Sequence, residues 1–223
     1  MSQNTLDSKE KISYVLNRYK RKQPEFNLIL VPILDNAGKV AGFLHPVTAD
    51  FASTIFRCVE LLDRWRKENP TLSPSRFPIS HERTTNWITN SIIENNGRIL
   101  FMIQNLEGSY IGHIGFTNII PESRSGEIDM VVRGEKEINP GLMTLAMKSL
   151  IRWGKAELGL EHIDLVVLPH NDHGIEFYQR CGFKQDGVVP LIKVENNNEI
   201  SWIRCKETVP DPEYYFLHMT LGE

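Results

Sequence analysis

The sequence predicts an α/β (α+β) fold in which helices flank a central mixed, mostly antiparallel, twisted sheet. Three strand-like runs separated by short turns lie mid-chain and indicate an antiparallel meander. A long amphipathic helix follows, and a branched apolar run after it indicates a buried strand that leads into another helix. With 223 residues, 41% of them hydrophobic, the chain is long enough to bury a substantial core.

The first elements are a helix and a hairpin. A narrow apolar stripe in an otherwise polar segment predicts a short helix over residues 6–22. We therefore expect an N-terminal helical extension over residues 1–24 and one domain over 25–223. Strands over 28–33 and 40–46 flank a turn-rich link, which predicts a hairpin.

Two helices separated by a proline-rich loop come next. Apolar residues at helical spacing predict one helix over residues 51–66, capped by Asp50. Pro70, Pro74 and Pro78 then predict an exposed loop. A second helix begins at Ser80 and ends before Gly97.

The meander supplies candidate site residues. Its strands are predicted over residues 99–104, 110–120 and 126–133. In the third strand, the two-residue alternation places Glu127 and Asp129 on one face, with Val131 continuing it. His113 lies in the neighbouring strand.

The helix after the meander is predicted from Asn139, as N-cap, to Leu158, with Pro140 in the first helical position. Its first N–H groups are suited to binding an anion. These amides belong to Gly141, Leu142, Met143 and Thr144.

A strand and a helix then meet in a polar loop. Residues 163–168 predict a buried strand, Asn171 or Asp172 can cap the next helix, and Gly182 ends it. Ligands bind at such carboxyl ends of strands in open sheets. The closing strands are predicted over residues 188–194, 200–205 and 214–221.

This last helix carries a family resemblance. Its pattern is similar to the signature of the GCN5-related N-acetyltransferase (GNAT) superfamily, and the order of elements from residue 40 to 221 resembles the acetyltransferase fold. The matching positions are Asn171, Gly174, Tyr178, Gly182 and Phe183. The chain departs from the family in the anion-binding loop, where Ile138 and Met143 replace a Gln or Arg and a Gly or Ala, and Gly141 alone is kept.

The resemblance implies acetyl-CoA as co-substrate. Its pyrophosphate would lie on the amides of residues 141–144 and its pantetheine arm along the backbone of Met130, Val131 and Val132, with Asn171 nearby. Tyr178 matches the family's general acid, and Glu127 is our first candidate for the base, with Asp129 as the other carboxylate. Substrate-side candidates are His81, His113 and Asp129.

We therefore expect an N-acetyltransferase that acts by direct attack in a ternary complex on a primary amine of a small molecule, with a nucleotide-linked amino sugar as one candidate. A protein amine is a competing acceptor. A second hypothesis is an acyl-CoA-binding or scaffold domain that has lost catalysis, because the pyrophosphate loop is altered.

Composition narrows the other possibilities. A net charge of −3 argues against nucleic-acid binding. Cys58, Cys181 and Cys205 are scattered without metal-ligand spacing, so we expect no metal and a reducing cytoplasm. The longest apolar stretch, residues 28–34, is too short to cross a bilayer, and no membrane association is expected. Exposed strand edges and the N-terminal helix favour a homodimer.

Overall fold

The computed structural model describes residues 7–23, 28–196, 199–205, 212 and 214–222. Within them the strands form one nine-stranded sheet in the order β1-β2-β3-β4-β5-β6-β9-β7-β8. Only β5 and β6 pair in parallel; the other neighbours are antiparallel. The predicted mixed, mostly antiparallel sheet is confirmed. The strands are β1 (Val31–Leu34), β2 (Val40–Pro46), β3 (Ile99–Asn105), β4 (Tyr110–Ile120), β5 (Ser125–Arg133), β6 (His162–Val167), β7 (Phe183–Asn196), β8 (Glu199–Arg204) and β9 (Tyr214–Leu221).

Helices cover both faces of the sheet. The first helix and the long helix after the meander pack with one apolar cluster, and the helices between β2 and β3 pack with a second cluster on the other face. The helices are α1 (Ser8–Lys20), α2 (Phe51–Thr54), α3 (Cys58–Glu68), α4 (His81–Asn86), α5 (Leu142–Trp153) and α6 (Asp172–Arg180). A π-helical segment extends α4 over Trp87–Ile93, and another extends α5 over Gly154–Leu158.

The N-terminal helix is part of the main core. Tyr19 of α1 makes edge-to-face contacts with Phe101 and Trp153, at centroid distances of 6.2 and 5.1 Å. The buried Lys20 Nζ donates to the carbonyls of Ile92 and Asn95, at 3.2 and 2.7 Å. These contacts tie α1 to both layers of the domain.

Two helix predictions were wrong in detail. The expected helix over 51–66 is broken between α2 and α3, where Arg57 has a φ of 54°. The Ser53 and Thr54 hydroxyls donate to the Asp50 carbonyl, at 2.9 and 3.3 Å, which offers the backbone an alternative to continued helix. Helix α5 begins at Leu142, with Gly141 rather than Asn139 as its N-cap.

The β7–β8 hairpin reaches back to the proline-rich loop. Arg76 and Ile200 exchange both backbone hydrogen bonds, at 2.8 and 3.0 Å. Arg83 of α4 donates twice to Glu199, at 2.6 and 3.1 Å. The hairpin therefore fixes the loop after α3, although it lies at the far edge of the sheet.

Candidate active site

Strands β5 and β6 separate halfway along their length. The two strands pair from Ser125–His162 to Ile128–Leu165. Beyond Leu165, β6 remains paired with β9 on its other edge but no longer with β5. Just beyond this point Met130 has a φ of 56°, and the register between β4 and β5 shifts. An extra residue in one strand of an antiparallel pair is a β-bulge, which bends the strand. The second half of β5 therefore presents an edge that β6 does not cover.

The bulge changes which side chains share a face of β5. Val131 was expected to continue the face of Glu127 and Asp129, but it packs with the apolar cluster on the α1 and α5 side. Val132 instead packs with the opposite cluster, beside Met130. That expectation was wrong because a left-handed residue inserted at Met130 reverses the alternation after it.

Tyr178 lies on α6, the helix that follows β6. Its ring makes edge-to-face contacts with Phe177 and Phe183, at centroid distances of 5.3 and 6.3 Å. Burial, then the negative charge of Asp129 and that of Cys181, raise the pKa of the Tyr178 phenol. A raised pKa keeps the hydroxyl protonated through the neutral range, which suits a proton donor.

The loop from Asn171 positions Tyr178. The Asn171 side chain accepts from the N–H of Gly174, at 3.1 Å, so it caps α6 as one of the two expected residues. A Cβ on Gly174 would lie 2.5 Å from the Asn171 amide nitrogen. A small residue is therefore required at this position for the cap to close.

The start of α5 is built around Gly141. Its φ of 90° is unstrained only for glycine. The N–H groups of Leu142 and Thr144 donate to the carbonyls of Asn139 and Gly141, whereas those of Gly141 and Met143 have no hydrogen-bond partner among the described residues. Helix N-termini with free amides attract anions.

Met143 does not obstruct this helix start. Its side chain is buried, and its sulfur lies 3.3 Å from the position that a Cβ on Gly112 of β4 would occupy. The long side chain therefore points into the core against β4. The side chain of Ile138, the other departure from the family pattern, is 40% exposed before the helix.

Glu127 is a buried carboxylate that forms an ion pair with a partly exposed arginine. Arg204 of β8 donates to both carboxylate oxygens, one of them at 2.5 Å, and the Asn118 amide donates at 3.0 Å. The hydrogen bonds to Glu127 raise the pKa of the Arg204 guanidinium; burial opposes the rise, and the charges of the neighbouring acids add to it. Both oxygens of the first-choice base are thus occupied by donors.

Asp129 faces a large cavity. The residue is accessible to solvent, but it lines a recess whose walls partly bury the carboxylate. This burial raises the pKa of the carboxyl; the Met130 N–H, which donates at 2.7 Å, opposes the rise, and the charge of Glu127 adds to it. A carboxylate with a raised pKa is a stronger proton acceptor than an ordinary aspartate.

His113 contributes a neutral ring to the same cavity. Its Nδ1 lies 2.6 Å from the Met130 carbonyl, which can only accept, so Nδ1 carries the hydrogen and Nε2 has the lone pair. Burial lowers the pKa of His113 to about 4, although the Met130 hydrogen bond opposes this. The ring of Trp65 stacks on it at 6.0 Å.

The cavity has a volume of about 1020 Å³. Of the predicted substrate-side residues, His113 and Asp129 line it, whereas His81 is exposed at the start of α4 and does not. The basic residues of its wall were not predicted from the sequence, because they come from α3, the loop after it, α4 and the residue before β3 and share no motif. Those lining residues are Arg66, Lys67, Arg76, Arg83 and Arg98.

The described residues show neither a metal-binding cluster nor a membrane-spanning helix. They contain no cluster of three or more His, Cys, Asp or Glu side chains placed to hold a metal ion. Among their helices, none combines the length and apolar character that a membrane crossing requires.

Comparison with known proteins places the chain's sequence and fold. The model of the acetyltransferase (GNAT) domain family matches residues 43–184. No curated protein matches the chain in sequence. The fold is similar to that of spermidine/spermine N-acetyltransferase SpeG from Vibrio cholerae in complex with manganese ions, with 14% identity, a TM-score of 0.55, and coverage of 81% of this chain and 92% of that one.

Other solved forms of the same Vibrio cholerae enzyme give similar values. A point mutant matches at 16% identity and a TM-score of 0.54, covering 73% of this chain and 88% of its own. A dodecameric structure in an intermediate state matches at 15% identity and 0.52, covering 73% and 86%. At these identities the likeness extends to the fold alone.

Proposed function

The chain belongs to the GNAT acetyltransferase family, and on that premise we propose that it transfers an acetyl group from acetyl-CoA to a primary amine of a small molecule. The observation that carries the proposal is the split between β5 and β6: Asp129 follows the last paired residue of β5, Tyr178 lies on the helix that follows β6, and the charge of Asp129 acts on the Tyr178 phenol. A nucleotide-linked amino sugar remains one candidate acceptor.

The residues around the split fit an acyl-CoA. The amides at the start of α5, around Gly141 and Met143, are suited to the pyrophosphate. The uncovered edge of β5 at Met130, Val131 and Val132 offers backbone groups to the amides of the pantetheine arm, as a sheet edge does to a peptide. When bound there, acetyl-CoA supplies the acetyl thioester.

The chemistry then divides between two side chains. The acceptor nitrogen attacks the thioester carbonyl, the new N–C bond forms and the C–S bond breaks. We assign the proton lost by the amine to Asp129, directly or through a water, because both oxygens of Glu127 already accept hydrogen bonds. Tyr178 donates a proton to the departing sulfur.

The cavity supports an acceptor of small-molecule size. Ligand sites in proteins commonly enclose about 300–1,000 Å³. The volume here, about 1020 Å³, is at the upper end of that range. The lone pair of His113 Nε2 is a suitable acceptor for an N–H group of the substrate.

The test is the rate of CoA thiol release with acetyl-CoA and a panel of small amines. We expect Tyr178→Phe to lower kcat by about 10²–10⁴-fold, with acetyl-CoA affinity changed by less than about 2-fold. Tyr14→Phe, at an exposed position on α1, is the matched control. An unchanged kcat in a folded Tyr178→Phe protein would remove the tyrosine from the mechanism. Binding of acetyl-CoA without turnover of any amine would favour the scaffold hypothesis.

A further inference from the structure

The wall of the cavity is strongly basic. Five Arg and Lys side chains line it, whereas Asp129 is its one carboxylate among the described residues. The chain as a whole has a net charge of −3, so the positive charge is a local property of this wall. Clefts lined by one sign of charge concentrate ligands of the opposite sign. The wall therefore selects the charge of whatever enters.

Most of this positive charge has no carboxylate partner among the described residues. Arg83 pairs with Glu199 of the β7–β8 hairpin. In the part of the chain that the structure describes, no carboxylate lies within 4.0 Å of the other four, Arg66, Lys67, Arg76 and Arg98. A bound anion would provide the missing compensation.

Arg66 has particular need of a counter-ion. Its guanidinium lies 4.3 Å from the centre of the Phe77 ring, and that of Arg83 lies 4.2 Å from the same centre. Two cations thus share one ring, and only Arg83 is paired with a carboxylate. Guanidinium groups bind phosphate and carboxylate through two parallel hydrogen bonds.

Arg98 brings a second cation close to the reacting end of the cavity. Its Nε donates to Thr117 Oγ1 of β4, at 2.7 Å, which holds the guanidinium on the sheet face that carries Asp129. The Arg98 charge also favours the ionised form of Asp129. The cavity therefore has basic walls and a carboxylate base on its floor.

We propose that the acceptor is a small primary amine that also carries an anionic group, a phosphate or a carboxylate, which Arg66 and Arg98 bind while the amine faces Asp129. The inference rests on the proposed function and names its substrate class. A polycation such as spermidine would meet four like charges in this wall, so we expect it to be a poor acceptor.

The first experiment compares matched acceptors. O-phosphoethanolamine is paired with ethanolamine, glucosamine 6-phosphate with glucosamine, and β-alanine with propylamine; spermidine is the polycation. We expect kcat/KM to be at least about 10-fold higher for an anionic member than for its neutral partner, since a hydrogen bond to a charged group contributes about 1.5–3 kcal/mol. Whether phosphates or β-alanine show the preference distinguishes the two anions.

Variants then locate the effect. Arg66→Gln and Arg98→Gln should each raise KM for the preferred anionic acceptor by about 10–100-fold, and Arg66→Gln should leave its neutral partner unchanged. Arg98→Gln also removes a charge that favours ionised Asp129, so its result is judged by KM and not by kcat. Arg124→Gln removes the same charge from the turn between β4 and β5, where Arg124 pairs with Glu161, and should change neither KM value. Equal effects in all three variants would indicate a general charge effect and overturn the assignment.

A binding measurement separates this inference from the proposed function. Glucose 6-phosphate has no amine, so its binding to the protein saturated with acetyl-CoA does not depend on catalysis. We expect calorimetry to detect binding that is lost in Arg66→Gln and retained in Arg124→Gln. If neutral amines or spermidine are acetylated as well as anionic ones, the inference fails and the transferase stands. If none of glucose 6-phosphate, O-phosphoethanolamine and β-alanine binds, the inference fails whatever the activity.

Discussion

Replacing Arg204 with methionine removes the cation that pairs with a buried carboxylate. The Glu127 side chain is 7% exposed and accepts from Arg204 twice and from Asn118 once. The variant leaves its charge with a single neutral donor. Breaking a fully buried pair costs about 3–5 kcal/mol. Because the Arg204 side chain is itself 38% exposed, water screens the pair, and we expect a loss of about 2–3 kcal/mol.

Urea unfolding followed by circular dichroism measures this loss. For a domain of this size about 2–3 kcal/mol lowers Tm by about 4–12 °C. Glu127→Gln in the Arg204→Met background removes the stranded charge and should recover more than half of the loss. The control is Arg124→Met, which breaks an exposed pair and should cost less than about 1 kcal/mol. If Arg204→Met lowers the free energy of unfolding no more than this control does, the ion pair between β8 and β5 does not stabilise the fold.

Three other perturbations test separate parts of the molecule. Asp129→Asn should remove the acidic limb from the pH profile of kcat, because a base loses activity as pH falls through its pKa, and the pKa of Asp129 lies above the ordinary value for aspartate. An unchanged acidic limb would exclude Asp129 as the base. A Cβ at Gly134 would lie 2.0 Å from the Trp65 ring, so Gly134→Ala should lower the free energy of unfolding, measured by urea titration, by about 1–3 kcal/mol. In the control Gly187→Ala the nearest atom to the new Cβ lies at 4.0 Å, and the free energy of unfolding should not fall. Burial lowers the pKa of Lys20 to about 8 from 10.5. Between these pH values the unfolded chain binds more protons than the folded one, so the free energy of unfolding should rise with pH across that window. Lys20→Met should abolish the rise, and a rise that persists in this variant would come from another group.

Local signals in the sequence were sufficient for most of the fold. The helix starts at Asn171 and Ser80 could be predicted because in each case a short polar side chain directly precedes an apolar stripe in the chain. The strands of the meander were readable from alternation and turns. The break at Arg57 was not, because the residue that adopts a left-handed φ there is not one that favours it.

The candidate site could be predicted only in part, because several of its features have no local signal in the sequence. Met130 gives no sequence signal for the bulge that separates β5 from β6 and moves Val131 to the other face. The ion pair of Glu127 joins residues 77 positions apart, and the charge of the cavity wall arises from several separate elements. Contacts of this kind depend on tertiary packing, which short-range patterns do not encode.

The central claim is that the start of α5 and the uncovered edge of β5 together hold acetyl-CoA. Calorimetric titration of the purified protein with acetyl-CoA tests it most directly. We expect saturable binding of one molecule per chain with a Kd of about 1–100 μM. The absence of binding at millimolar acetyl-CoA by a folded protein would contradict the account, because both proposed roles, of Tyr178 and of Asp129, require that co-substrate.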